Sequence, residues 1–202
     1  MSGNTTKRAY DRIAGLYDVM EYPMEFMFFA KWRKELLASV SGKVLEVGIG
    51  TGKNLRYYPP GIQLTGIDIS SRMMRKAQMK AAEIGHSLDL MVMNVEDMSF
   101  SDFSFDFVVS TFVFCSVSRP LQGLREIKRV LKPNGFALFL EHVRSEKKFL
   151  GRVMDFFNPM VRSLIGPNIN RRTVENIEKS GLKIISMHNK GSELVKHVIA
   201  RP

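Results

Sequence analysis

The run Val44-Leu45-Glu46-Val47-Gly48-Ile49-Gly50-Thr51-Gly52-Lys53-Asn54 decides how the rest of the chain is read. A stretch suited to a buried strand leads into three glycines at alternate positions, after which a helix is expected. Glycine carries no Cβ, so such a turn can bend sharply and let a ligand lie against the backbone. A dinucleotide site places its third glycine three residues after its second. Here the interval is two, which argues against a dinucleotide-dependent oxidoreductase. Glu46, just before the glycines, would also repel a pyrophosphate. A carboxylate there suits a ligand that carries an ammonium group.

Outward from this turn, short apolar runs alternate with longer amphipathic ones, the pattern of a parallel sheet covered by helices. Strands are expected over residues 43–47, 63–67, 89–93, 105–114 and 136–142. A helix over 71–84 starts at serines able to cap it and ends at Gly85. A second, over 121–131, lines up Leu124, Ile127, Val130 and Leu131 and stops before the turn residues Pro133-Asn134-Gly135. A third, over 171–180, is closed by Gly181. Strands over 182–188 and 194–200 follow, joined at Asn189-Lys190-Gly191 as a hairpin. The expected fold class is α/β: a Rossmann-like, mostly parallel seven-stranded sheet with helices on both faces and a C-terminal antiparallel hairpin.

Two stretches fit this rhythm poorly. Residues 10–38 carry Tyr10, Tyr17, Tyr22, Phe26, Met27, Phe28, Phe29 and Trp32, and residues 149–168 carry Phe149, Phe156, Phe157 and Met160, with Pro159 and Pro167 expected to break the helix. Both are additions to the sheet, the kind of segment from which substrate pockets are built. At 202 residues the chain reads as one domain. Within it, 1–40 forms an aromatic-rich helical cover, 41–145 a ligand-binding core, 146–170 a substrate-side insertion, and 171–202 the last helix and hairpin.

Composition narrows the function classes. No apolar run reaches the roughly 18 residues of a membrane-spanning helix, and the first twelve residues show no signal-peptide core. A cytoplasmic protein is expected, with peripheral contact to a membrane as an option. The one cysteine, Cys115, excludes an intrachain disulfide and a cysteine-rich zinc site, and no metal is expected. Within its apolar run Cys115 reads as a small buried hydrophobe. The net charge of +10 is uneven. Residues 1–118 hold 13 basic and 13 acidic side chains, whereas residues 119–202 hold 17 and 7. Such a basic half suits an anionic membrane, an acidic substrate or nucleic acid, or serves only solubility.

Asp68 closes the second strand in Gly66-Ile67-Asp68-Ile69, twenty residues after Gly48. An acid at that place can accept hydrogen bonds from both hydroxyls of a ribose. With Glu46 facing an ammonium group, S-adenosylmethionine fits both ends. Asn94, in Asn94-Val95-Glu96-Asp97-Met98, could read an adenine edge. Met73, Met74 and Met98 could cover its face or merely fill the core.

These residues together resemble the class I S-adenosylmethionine-dependent methyltransferases over about residues 10–200. The likeness is carried by the glycine turn, Gly66-Ile67-Asp68-Ile69-Ser70, the segment from Asn94 to Phe100, Phe105-Asp106-Phe107-Val108-Val109, and the stretch from Leu124 through Arg125-Glu126-Ile127 to Gly135. Tyr10-Asp11-Arg12-Ile13-Ala14-Gly15-Leu16-Tyr17-Asp18 is similar to the opening of quinone C-methyltransferases and of bacterial phosphatidylethanolamine N-methyltransferases. Tyr58-Pro59-Pro60-Gly61, Cys115-Ser116-Val117 and Glu141-His142-Val143 are similar to methyltransferase-like thiol S-methyltransferases. That branch has an N-terminal anchoring helix that this sequence does not show.

The resemblance implies that Glu46, Gly48, Gly50 and Gly52 contact the methionine moiety and Asp68 holds the ribose. Ile69, Met73, Asn94, Val95 and Glu96 would border the nucleoside. Thr111 opens a segment, through Val117, that lines the path to the methyl group. Many relatives have aspartate where Asn94 stands. The implied reaction moves a methyl group to a small or lipophilic acceptor: a quinol, a thiol or an aminophospholipid. Such a displacement depends on holding the acceptor in line, and orientation alone can supply about 7–11 kcal/mol. Where a base is needed, His142, Glu141 and Tyr17 are the candidates. The alternative, a nucleic-acid methyltransferase using the basic half, lacks the Asn-Pro-Pro-Tyr type of motif that handles a flipped base.

Overall fold

The computed structural model describes residues 25–85, 87–164 and 168–202. Tyr10, Tyr17, Tyr22 and Pro167 lie outside the described residues, as does the whole stretch 10–18. A π-helical turn, Glu25–Phe29, runs into α1 (Ala30–Leu37). Then come β1 (Lys43–Val47), β2 (Gln63–Asp68), α2 (Ser71–Glu83), β3 (Asp89–Val92), β4 (Phe105–Thr111), α3 (Pro120–Val130) and β5 (Leu131–His142). The chain ends with α4 (Lys148–Leu164), α5 (Thr173–Lys179), β6 (Lys183–Lys190) and β7 (Ser192–Arg201).

The strands form one sheet in the order β3-β2-β1-β4-β5-β7-β6. β1 pairs in parallel with β2 and β4, β2 with β3, and β4 with β5, whereas β7 runs antiparallel to both β5 and β6. This is the mostly parallel sheet with a closing hairpin that the sequence pattern implies. Strand order reverses between β1 and β4, so their connections part and leave a crevice at the strands' C-terminal ends.

Alternation along β1 shows how the sheet is covered. Val44 joins the apolar cluster that contains Leu36 and Leu37 of α1 and Met74, Ala77 and Ala81 of α2. Leu45 and Val47 join the cluster of Leu124, Ile127 and Val130 from α3 and Ile177 from α5. Successive strand residues point to opposite faces, so each face receives its own pair of helices. α2 begins where the Ser70 hydroxyl accepts the Met73 N–H at 3.1 Å, and it ends before Gly85, whose φ of +67° continues the chain in a left-handed turn.

Four local expectations are corrected. After the glycine turn only a 3-10 turn forms, Leu55–Tyr57, because Pro59 and Pro60 follow and lack the N–H groups a longer helix needs. Pro133-Asn134-Gly135 lie inside β5 rather than in a turn, and the pairing register with β4 slips between Phe105 and Phe107 to admit them. Such a bulge is where a strand tolerates proline. β4 stops at Thr111 because Phe112 takes a φ of +58°, which ends extended backbone. Pro159 does not break its helix, since α4 runs on to Leu164 while Asp155 and Asn158 are bonded to neighbouring segments.

Two buried carboxylates stand beneath the crevice on opposite faces of the sheet. On the α1 side, Glu46 accepts from Asn54 Nδ2 at 2.7 Å and from the Tyr58 hydroxyl at 3.0 Å. Arg33 of α1, itself buried, reaches into the same network. Its Nη1 donates to Asn54 Oδ1 at 2.9 Å and to Thr111 Oγ1 at 2.8 Å, and its Nε pairs with Glu25 at 3.1 Å. On the α3 side, Glu141 accepts from Ser110 Oγ at 2.7 Å and from the backbone N–H groups of Val113 and Phe114 at 3.1 and 3.2 Å. Burial pushes both carboxyls up to about 7 against the pull of these hydrogen bonds. It also lifts the Tyr58 phenol well above its ordinary range.

A raised carboxyl pKa means the native state binds the proton more tightly than the unfolded chain. Its contribution is complete below the unfolded value near 4.5 and is lost as pH rises through about 7. The rise at Glu46 corresponds to about 3 kcal/mol. Stability should therefore fall between pH 4.5 and 7. Glu46→Gln keeps both hydrogen-bond positions filled and should make that fall shallower, as read by denaturant melts across this range. An unchanged slope in the variant would contradict the assignment.

Candidate active site

The crevice at the switch point encloses about 770 Å³, part of it open to solvent. Its floor is the glycine turn. Ile49 N–H bonds Ile67 O at 3.0 Å, which lays the turn over β2, and Gly52 N–H closes it on Ile49 O at 3.0 Å. The three glycines divide the work. Gly48 and Gly50 line the crevice, and a Cβ at Gly50 would meet only the Gly48 carbonyl at 3.9 Å. Gly52 stands outside the wall. A Cβ there would come within 2.7 Å of Leu55 Cδ1 and 3.3 Å of the Ala77 backbone, so this glycine serves the close approach of α2.

Asp68 fixes the turn from the neighbouring strand. Its Oδ2 accepts the Gly50 N–H at 3.0 Å and its Oδ1 accepts the Ser70 N–H at 2.8 Å. Ile67, Ile69 and buried Met73 continue the wall on this side. Beyond β3, Met93, Asn94, Val95 and Glu96 face the same space. Asn94 Oδ1 is engaged by the Glu96 N–H at 3.0 Å, which leaves the NH2 end of the amide for a ligand. Glu96 is an anchor: its two oxygens take the Arg119 N–H and Nε, each at 2.8 Å.

The opposite wall is Thr111, Phe112, Val113 and Ser116 to Ser118. This loop is held from three directions. Glu141 takes two of its N–H groups, Asn168 donates twice to the Cys115 carbonyl at 2.9 and 3.0 Å, and Arg171 Nη2 donates to Val117 O at 2.7 Å. The Cys115 thiol is buried and donates to Phe112 O at 3.5 Å, and burial pushes its pKa up to about 12, so it remains a protonated core group. Ser118 Oγ is buried without a hydrogen-bond partner among the described residues, an atom that a bound polar group would satisfy.

Of the residues singled out from sequence, the structure gathers Gly48, Gly50, Asp68, Ile69, Met73, Asn94, Val95, Glu96 and Thr111 around this one space. It does not bring Glu46, Gly52 or Glu141 to the wall, because each is committed to packing or to hydrogen bonds behind it. The His142 ring lies tilted against Phe112 at 4.8 Å and edge-on to Phe29 at 6.2 Å, at the back of the wall residue rather than in the crevice. Tyr17 is outside the described residues. Sequence reasoning passed over Met93, Ser118 and Arg33. A lone arginine among Phe28, Phe29 and Trp32 was the available signal for Arg33, whose guanidinium also lies 5.4 Å from the Phe112 ring centre.

The crevice thus has a glycine floor, an acid at the end of the second strand and a mostly apolar wall. Residues 45–139 match the family described as a methyltransferase domain. The chain is 34% identical over 168 residues to a demethylmenaquinone methyltransferase of Thermotoga maritima, covering 78% of this chain and 72% of that one. It is 42% identical over 112 residues to the Homo sapiens thiol S-methyltransferase TMT1B, covering 53% of this chain and only 46% of the human protein. Among solved structures, an S-adenosylmethionine-dependent methyltransferase from Aquifex aeolicus superposes with a TM-score of 0.65 at 20% identity over 99% of this chain and 98% of that one, a likeness of fold. Sheet order, crevice and kinship agree that the chain belongs to the class I S-adenosylmethionine-dependent methyltransferases.

Proposed function

We propose that this enzyme methylates a small lipophilic acceptor (a quinol, an alkyl thiol or an aminophospholipid), with the cofactor lying along the crevice from Asn94 to Thr111. The observation that carries the reading is the composition of the wall. Gly50 offers open backbone beside the Asp68 carboxylate, and apolar Ile67, Ile69, Met73, Met93, Val95, Phe112, Val113 and Val117 make up most of the rest. Asp68 would hold the ribose, the Asn94 amide and Ser118 hydroxyl would meet the adenine side, and Gly48 and Gly50 would admit the aminoacyl tail. Buried Arg33, bonded to Thr111, sets a positive charge at that tail's carboxylate end. Glu46 acts one step back, by orienting Asn54 and through it Arg33. When bound, S-adenosylmethionine supplies an electrophilic methyl group on a sulfonium sulfur.

The chain's own part is then orientation and exclusion of water. Glu141 fixes the loop from Phe112 to Phe114, and His142 backs the Phe112 ring; both are positioning residues in this reading. Among the described residues, the ionisable groups on the crevice wall are Asp68 and Glu96, and both are occupied with backbone or arginine partners. Described wall residues with no base to spare favour an acceptor that ionises by itself. A cysteine-like thiol does so near pH 8.5, below a phenol near 10, which ranks a thiol of that acidity first. The nucleic-acid reading finds no support. The basic side chains of the C-terminal half are dispersed into pairs such as Arg129 with Glu126 and Asp102, Lys132 with Asp106, and Lys196 with Glu146.

Asp68→Asn should weaken binding of S-adenosylhomocysteine roughly tenfold to a hundredfold by titration calorimetry, with the circular dichroism spectrum retained. Undiminished affinity would reject the ribose assignment. With a series of alkyl thiols of graded acidity, the inflection in kcat/KM against pH should track the pKa of each thiol. An inflection that stays fixed as the thiol changes would assign a base to the protein. Label appearing only on quinols or aminophospholipids would overturn the ranking.

A further inference from the structure

Helix α4 leaves large apolar side chains on the face it turns away from the protein body. The side it turns to the body mixes small, apolar and polar groups: Gly151 is buried, and Val153, Met154 and Asn158 are half-buried. Gly151 is buried against Arg144, and Asp155 pairs with Arg144 at 2.8 Å. Asn158 bonds Asn168 at 3.2 Å and the Ile169 N–H at 2.9 Å. The opposite stripe, at helical spacing, carries Phe149, Phe156 and Met160, which are 82%, 79% and 54% exposed, with Phe157 beside them at 44%. Soluble proteins place the apolar stripe inward. Aromatic side chains held outward along one helix mark a surface that meets an apolar partner.

We infer that this outward face of α4 seats in the interfacial layer of an anionic lipid bilayer. Charge selects the partner. Lys147 and Lys148 stand at the helix start, and Arg152 lies one turn from both Phe149 and Phe156 along the same edge. The one acid of the helix, Asp155, is turned to Arg144 instead. Apolar residues bordered by Lys and Arg are the pattern of a helix lying in the headgroup plane. A second copy of the chain pairing across this face would bring like charges together. The helix is 17 residues long, and no helix among the described residues is long and apolar enough to cross a membrane, so α4 would lie on the surface.

The same helix is wired to the crevice. Asn158 on its inner side bonds Asn168, and Asn168 holds the Cys115 carbonyl in the loop that forms the crevice wall. A helix seated on lipid would thus present the wall loop to acceptors dissolved in that lipid. In purpose this extends the lipophilic-acceptor reading, but the docking itself can be measured without any methyl transfer.

The test uses the full chain with vesicles of phosphatidylcholine containing 30 mol% phosphatidylglycerol, alongside pure phosphatidylcholine. The wild type should co-sediment with the anionic vesicles and lose binding as salt rises. Phe149→Ser/Phe156→Ser/Met160→Ser should lower partitioning at least about tenfold. Lys148→Gln/Arg152→Gln should lower it roughly fivefold per charge on anionic vesicles only. Phe156→Trp should show a blue shift of its emission on adding those vesicles. Affinity for S-adenosylhomocysteine and turnover of a water-soluble thiol should stay unchanged in all variants, which separates this inference from the proposed function. Three results would overturn it: no co-sedimentation of the wild type, undiminished binding by the triple serine variant, or a wild-type dimer that the serine variant dissociates.

Discussion

Asp68 ends β2 and accepts two backbone N–H groups, Gly50 at 3.0 Å and Ser70 at 2.8 Å. One carboxylate thereby ties the turn after β1 to the first turn of α2. Hydrogen bonds to an ionised acceptor are roughly twice as strong as neutral ones. They are also directional, so the glycine turn is held open in the one shape that leaves Gly50 bare to the crevice. The rest of the site is arranged around that fixed edge.

Glu46 and Glu141, buried beneath the crevice, extend the same logic to both faces of the sheet. Glu46 gathers Asn54 and Tyr58 below the turn and so orders the pocket for Arg33, while Glu141 gathers Ser110, Val113 and Phe114 below the opposite wall. Burial raises both carboxyls to about 7, so each sits near its protonation midpoint at neutral pH. A carboxyl group satisfied by several donors and acceptors fixes geometry in either form. The crevice is therefore framed by acids that shape it from behind while its exposed wall stays mostly apolar. That division leaves a mostly apolar crevice with the Asp68 carboxylate at one edge.

Much of this was legible in the sequence, for reasons that can be located. β1 and the start of β2 and α2 follow from local chemistry: apolar β-formers, a serine cap and a glycine stop act over a few residues. Asp68 was readable because strand end and glycine turn lie at a characteristic interval. What escaped depends on partners distant in the chain. Glu46 looks like a ligand contact until Asn54 and Tyr58 close over it, and Glu141 looks like a base until Ser110 of β4 and two N–H groups of the loop after it arrive. Pro133 reads as a turn because its bulge exists only against Phe105, and Pro159 reads as a helix end because the bonds holding α4 come from Arg144 and Asn168. The polarity of α4 was present in its sequence, but which stripe faces the body is decided by those same distant partners.

The central claim is that a nucleoside is held by Asp68 while its aminoacyl tail crosses Gly50 toward Thr111 and Arg33. A crystal structure of the enzyme with S-adenosylhomocysteine tests this most directly. The account predicts both ribose hydroxyls within hydrogen-bond distance of the Asp68 carboxylate, with the adenine between Met73 and Asn94. A nucleoside lodged elsewhere, or a ribose turned away from Asp68, would contradict it.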